Sequence, residues 1–404
     1  VTSLPFVANP FCANYTRLGT ILMTTLIANI GQLVTPVSDD EVRRRRGTPL
    51  KVLKGTELLI HNGRIASIGT GIAPDRVETR LDADGGVVLP GLIDPHTHLP
   101  ASQGRGGGSA DISSAGDGGW ETSIQEHLQR MVRSGTTTVE IKCAVRSQSF
   151  DELITLQQFS GRRAPRVIST LFNSVPLEEA LSSSTGRISA IIGELIPTVR
   201  RRRLAQFCDV DCGAKTYTHT EARTILRAAR GAGLRLKLHS NGEDVRNIVD
   251  LAAELEVTSV DLVGPVSRRD GQHLGQAGVV PVFLPWNALG SGRSDQSLRV
   301  LLESGLPVGL GSDQGSSPIG IGSMWLVLAL AISLLGMSLE QAITVCTLHN
   351  ATALGMSGDV GSLDEGKAAD LLILDIGDYR QLLQGLGREP IRSVVVGGDV
   401  VYQR

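Results

Sequence analysis

Aromatic side chains, net charge and cysteines in any ordered spacing are all scarce in this chain. Phe, Trp and Tyr supply 3% of its 404 residues. So low a share offers no obvious large apolar patch for a partner. Lys and Arg nearly balance Asp and Glu, leaving a net charge of -2. A chain so balanced has no overall pull toward nucleic acid. The arginine runs Arg43-Arg44-Arg45-Arg46 and Arg200-Arg201-Arg202-Arg203 are local exceptions, read as solvated faces. The five cysteines (Cys12, Cys143, Cys208, Cys212 and Cys346) are odd in number and scattered. Cys208 and Cys212 have no matching Cys or His pair nearby, so no structural zinc site is expected. A reducing, cytoplasmic setting is the expectation. No apolar run is long enough for a bilayer; Thr20, Thr24, Thr25 and Asn29 interrupt residues 19–30. Residues 1–22 differ in character from the rest of the chain. They read as an extension or disordered N-terminus, with Met23 an equally good start.

What is present is a core-forming composition, 41% hydrophobic and 20% charged. The length suits one large barrel and a smaller domain. Residues 23–88 are short and strand-like. Asn62-Gly63 joins two apolar runs and signals a hairpin. Over residues 89–356, strands alternate with helices. Strands are expected at 136–141, 166–171, 234–238 and 307–312, and helices at 220–232 and 339–348, with Gly135, Gly233 and Gly305 as helix C-caps. This repetition fits a (β/α)8 TIM-type barrel of the α/β class. Residues 104–119 are glycine-rich and read as a loop after the first barrel strand. Residues 357–404 return to short strands. The two β-rich ends are expected to pair into one discontinuous domain beside the barrel.

The chemistry centres on Asp94-Pro95-His96-Thr97-His98. The run Val87-Val88-Leu89, interrupted by Pro90 and Gly91, continues through Leu92-Ile93 into the histidines and reads as one buried strand. Two imidazoles at i and i+2 on a strand share a face, so both can reach one ion. His239 follows Leu236-Lys237-Leu238, and Asp313 follows Gly309-Leu310-Gly311-Ser312. In a barrel all these strand ends lie on the catalytic face. His96, His98, His239 and Asp313 thus make a candidate mononuclear metal site with room for water. Such an ion lowers the pKa of water toward ~7 and polarises a carbonyl. Asp313 would accept the water's proton and pass it to a leaving nitrogen. A two-metal version would use Lys142 as a carboxylated bridge, but no further strand-end His is available for a second ion. His61, His127, His219, His273 and His349 sit in other contexts and are not assigned chemistry.

These residues resemble the amidohydrolase superfamily, and within it the imidazolonepropionases. The likeness runs from about Met23 to the C-terminus. Its strongest stretches are Pro90 through Leu99, Gly135 through Lys142, Lys237-Leu238-His239, Ser312-Asp313 with Gly315-Ser316-Ser317-Pro318, and Gly361 through Leu371. Val139-Glu140-Ile141-Lys142 and Phe207-Cys208-Asp209-Val210-Asp211-Cys212 point to the imidazolonepropionases. The resemblance implies a barrel with a flanking β-sandwich, and one zinc or iron ion on His96, His98, His239 and Asp313. It implies hydrolysis of 4-imidazolone-5-propanoate to N-formimidoyl-L-glutamate in histidine degradation. It also implies that Arg105 binds the substrate carboxylate, which the planar guanidinium fork suits.

Several pocket positions depart from that pattern. Val145 stands for a Tyr, Asn173 for a His, Gly242 for a Glu and Leu262 for a His. Asn173 keeps hydrogen-bond donors and is assigned to substrate binding. Glu243 replaces the missing carboxylate only if the loop shifts by one residue, and is assigned to catalysis on that condition. Leu262 can neither donate a hydrogen bond nor carry charge. These departures leave two alternatives: a deaminase or amidohydrolase for another small nitrogen heterocycle, or a catalytically impaired metal-binding relative. The expected partner is a small-molecule substrate, with a homodimer as the assembly and neither nucleic acid nor membrane involved.

Overall fold

The computed structural model describes residues 23–37, 49–72, 77–99, 119–144, 150–159, 165–174, 184–213, 216–240, 242, 244–262, 264–285, 296–315, 322–385 and 388–404. The chain opens with β1 (Thr24–Pro36), β2 (Leu50–His61), β3 (Arg64–Gly69), β4 (Thr79–Asp82) and β5 (Val87–Pro90). Eight strands come next: β6 (Leu92–His98), β7 (Thr136–Ala144), β8 (Arg166–Asn173), β9 (Phe207–Cys212), β10 (Arg235–Ser240), β11 (Ser259–Asp261), β12 (Val280–Phe283) and β13 (Gly309–Leu310). The chain ends with β14 (Leu371–Leu374), β15 (Ile391–Val396) and β16 (Asp399–Gln403).

Strands β6 to β13 pair in sequence order, each parallel to the next. At least one helix follows each of them. The segment after β13 returns to β6: His98 N donates to Gln314 O at 2.7 Å, and Asp313 N to His96 O at 3.1 Å. The sheet therefore curls into a nearly closed barrel, as the β-then-α repeat predicts. Helix His219–Gly231 shows why its residues fold as they do. Thr218 and Glu221 form a reciprocal capping box at its start, and Ala222, Ile225, Leu226 and Ala229 bury one face. Gly135, Gly233 and Gly305 all have positive φ, as helix-ending glycines should.

Strands β1–β5 and β14–β16 join in a second, mixed sheet built from both chain ends. It encloses its own apolar cluster, including Ile27, Leu33, Ile60 and Ile373. Its hairpin turns at Asn62-Gly63 and Gly397-Gly398 have positive φ at both residues, the conformation that a tight two-residue turn requires.

The run from Val87 into the histidines is two strands rather than one. β5 pairs with β1 and β14 in the mixed sheet, whereas β6 belongs to the barrel. Gly91 sits at the changeover, where a Cβ would lie 2.1 Å from Thr137 Oγ1. Only glycine allows the chain to pass so close. The last barrel strand is also shorter than the pattern at 307–312 suggests, covering Gly309–Leu310. No described helix is long and apolar enough to cross a membrane.

Candidate metal centre

His96 and His98 end β6 on one face, with their Nε2 atoms 3.2 Å apart. Asp313 Oδ1 lies 3.6 Å from His96 Nε2 and 3.7 Å from His98 Nε2. A tetrahedral ion with metal–nitrogen bonds of about 2.0–2.1 Å has donor–donor edges of about 3.3–3.4 Å. The three atoms therefore have the spacing of a coordination site. His239 stands beside them, its ring centroid 5.4 Å from that of His96. Phe172, on β8, closes the other side, 5.6 Å from the His98 ring and 5.8 Å from the His239 ring.

The backbone around the site is built for close approach. Asp313 adopts φ +54°, which short polar side chains tolerate better than most. Asp94 Oδ1 accepts from Ser312 N at 3.1 Å and from His96 N at 3.3 Å, joining β6 to the segment after β13. Burial raises the Asp94 pKa to about 7. Asn350 clamps the same seam: Nδ2 donates to Ile93 O at 2.7 Å and Leu310 O at 2.9 Å, and Oδ1 accepts from Leu310 N at 2.9 Å.

Beneath the imidazoles lies a layer of buried charge. Lys142 Nζ contacts Oδ2 of both Asp209 and Asp261. Asp261 Oδ2 also lies 2.9 Å from His96 Nδ1, in a bent contact, and 3.3 Å from His239 Nδ1. One layer down, Lys237 Nζ pairs with Glu140 Oε2 at 2.5 Å, and Thr170 Oγ1 donates to Glu140 Oε1 at 2.5 Å.

The electrostatics suit a cation. Burial, reinforced by Lys142, lowers the pKa of His96 well below the ordinary value and that of His98 to about 3. Both rings are then neutral, as ligands must be. His239 behaves differently: burial lowers its pKa, but the Asp261 carboxylate outweighs burial and raises it. Two carboxylates share the single Lys142 ammonium, which leaves excess negative charge next to the imidazoles. Burial alone would lower the Lys142 pKa, yet Asp209, Asp261 and Glu140 raise it. Lys142 thus sits in the barrel interior as the counter-charge of Asp209 and Asp261.

The sequence profile of the amidohydrolase family matches residues 87–155 and 211–401. The chain belongs to the amidohydrolase family. The imidazolonepropionase of Solibacter usitatus is 32% identical to it over 393 residues, covering 88% of this chain and 93% of that protein. The imidazolonepropionase of Syntrophobacter fumaroxidans is 31% identical over 385 residues, covering 87% and 90%. Among solved structures, E. coli guanine deaminase superposes with a TM-score of 0.72 at 17% identity, covering 95% of this chain and all of that one. A triazine hydrolase variant gives 0.73 at 18% identity, with 94% of each chain covered. These structural matches share the fold with this amidohydrolase.

The site assembles some of the residues expected of it. His96, His98 and Asp313 converge, with His239 adjoining. Asn173 ends β8, but its Nδ2 donates to Asp209 O at 3.1 Å and approaches Cys208 Sγ at 3.5 Å. That donor group is thus turned to the neighbouring strand. Leu262 lies in the main apolar core, and Gly242 has φ +99°. Arg105, Val145 and Glu243 lie outside the described residues, as do residues 1–22.

Sequence reasoning missed Asp261, Asp209, Phe172, Asn350 and the Glu140–Lys237 pair. A signal existed for Asp209, Glu140 and Lys237, though not for Asp261. Glu140 and Lys142, Lys237 and His239, and Asp209 and Asp211 each stand two apart, with an apolar residue between them. Charges at period 2 inside a barrel strand face the interior together.

Proposed function

We propose that this amidohydrolase hydrolyses the ring amide of 4-imidazolone-5-propanoate, giving N-formimidoyl-L-glutamate, a step of histidine breakdown. The observation that carries this reading is the similarity to imidazolonepropionases along 87% of the chain or more. His96, His98, His239 and Asp313 would hold one divalent ion, zinc or iron, since nitrogen and oxygen donors suit both. When bound, such an ion supplies Lewis acidity to a water and to a carbonyl.

The remaining steps fall to the chain itself. Asp313 Oδ1 lies within 3.7 Å of both imidazole Nε2 atoms. It takes a proton from the attacking water and returns it to the ring nitrogen as the carbonyl C–N bond breaks. Water is added across that bond, so the carbonyl becomes a carboxylate and the nitrogen leaves protonated. Phe172 packs beside the His98 and His239 rings. The buried free thiols Cys143, Cys208, Cys212 and Cys346 accord with a reducing, cytoplasmic setting.

A second reading keeps the metal and changes the ring. It is favoured by Asp211, which pairs in register with His239. Burial, opposed by His239, raises its pKa to about 6. A carboxylate there suits an N–H-bearing heterocycle.

Product analysis separates the two readings. Metal-loaded protein is incubated with freshly made imidazolonepropionate and, separately, with a panel of aminated heterocycles. Mass spectrometry should find N-formimidoyl-glutamate from the first and no ammonia from the panel. Ammonia release from the panel without formimidoyl-glutamate supports the second reading.

A further inference from the structure

We propose that Asp261, anchored by Lys142, orients the imidazoles of both His96 and His239 so that each offers Nε2 to the metal ion. The inference rests on reading His96, His98, His239 and Asp313 as a metal site, and is independent of the substrate.

Four strands bring the groups together. Asp261 closes β11 and is buried, as is Lys142 on β7. His239 is the in-register neighbour of Asp261 on β10. His96 comes from β6, across the barrel interior. A single atom, Asp261 Oδ2, meets both rings at Nδ1, at 2.9 Å for His96 and 3.3 Å for His239.

A neutral imidazole carries its proton on one nitrogen only. A carboxylate facing Nδ1 favours the tautomer protonated there, which leaves the Nε2 lone pair for an ion. One carboxylate thereby sets two tautomers and two ring orientations at once. Alone, it would be a costly buried charge. The Lys142 ammonium on the same oxygen compensates it. The lysine that a two-metal site would use as a bridge instead holds a positioning carboxylate.

The test is binding of Co²⁺ and Zn²⁺ to the full-length chain, by calorimetry and by Co²⁺ absorption. Asp261→Asn should weaken affinity by about 10- to 100-fold, while the Co²⁺ bands keep the pattern of the unaltered protein. Lys142→Met with Asp209→Asn and Asp261→Asn removes all three buried charges and guards against misfolding. It should show the same loss as Asp261→Asn alone, since Lys142 acts through Asp261. Glu140→Gln breaks an equally buried pair that touches no ligand imidazole. It should lower the thermal midpoint and leave metal affinity unchanged. Unchanged affinity in Asp261→Asn overturns the proposal, as does a changed Co²⁺ band pattern, which would make Asp261 a direct ligand. Equal loss in Glu140→Gln also overturns it, by reducing the effect to stability. If the unaltered protein binds neither ion, the metal site itself fails, and the proposal with it.

Discussion

Asp261 Oδ2 and His96 Nδ1 meet at 2.9 Å across the inside of the barrel. His96 comes from the first barrel strand and Asp261 from the sixth, so the contact joins strands that do not pair with each other. Barrel interiors are usually filled by layers of branched apolar side chains. Here two successive layers carry charge: Lys237 with Glu140, and above them Lys142 with Asp209 and Asp261. The upper layer supports the imidazoles at the strand ends, so the core of the barrel and the candidate metal centre are one structure.

Removing the metal should expose this dependence. Dialysis against a chelator is expected to abolish activity and lower the thermal midpoint, and Zn²⁺ or Fe²⁺ should restore both. An ion present at a hundred times its Kd adds about 2.7 kcal/mol to stability. Scanning calorimetry of the stripped and reloaded protein checks this.

Asp313→Asn tests the proton transfer. The three imidazoles remain, so metal content by mass spectrometry should stay near that of the unaltered protein. The turnover number should fall about 100- to 10,000-fold, the usual worth of a positioned acid–base group. A catalytically inert relative would lose no function on this change.

Asn350 is the seam clamp between β6 and β13. Asn350→Leu leaves Ile93 O, Leu310 O and Leu310 N without their partner. Each unsatisfied buried group costs about 1–3 kcal/mol. A loss of at least about 3 kcal/mol is therefore expected, with faster hydrogen exchange at the Leu310 amide than in the unaltered protein.

Gly311 has little room for a side chain. A Cβ there would lie 2.7 Å from His96 Cβ and 3.0 Å from Leu284 Cδ2. Both neighbours are buried. Gly311→Ala should displace His96, cost about 1–3 kcal/mol of stability, and weaken Zn²⁺ binding measurably in a calorimetric titration.

The barrel was legible in the sequence because its strands and helices have distinct periods and its helices end at glycines. The convergence of His96, His98 and Asp313 was legible because the two histidines share a strand face and Asp313 follows an apolar run. Asp261 was harder to read. Its strand is only three residues long, too short to show alternation. Its role also depends on Lys142 and His96, both more than a hundred positions away in sequence. Asn350 gave no sign for a related reason: its three partners are backbone groups on strands brought together only by closure of the barrel. The single apolar run from Val87 to Ile93 concealed a change of sheet. Both strands are buried, and only the close approach at Gly91 separates them.

The proposed reaction is metal-dependent opening of the imidazolone ring at His96, His98, His239 and Asp313. Its most direct test is the loss of imidazolonepropionate absorbance under protein carrying one equivalent of zinc or iron. Turnover should disappear on chelation and return with the metal. A protein with its metal site filled and no consumption of imidazolonepropionate would contradict it.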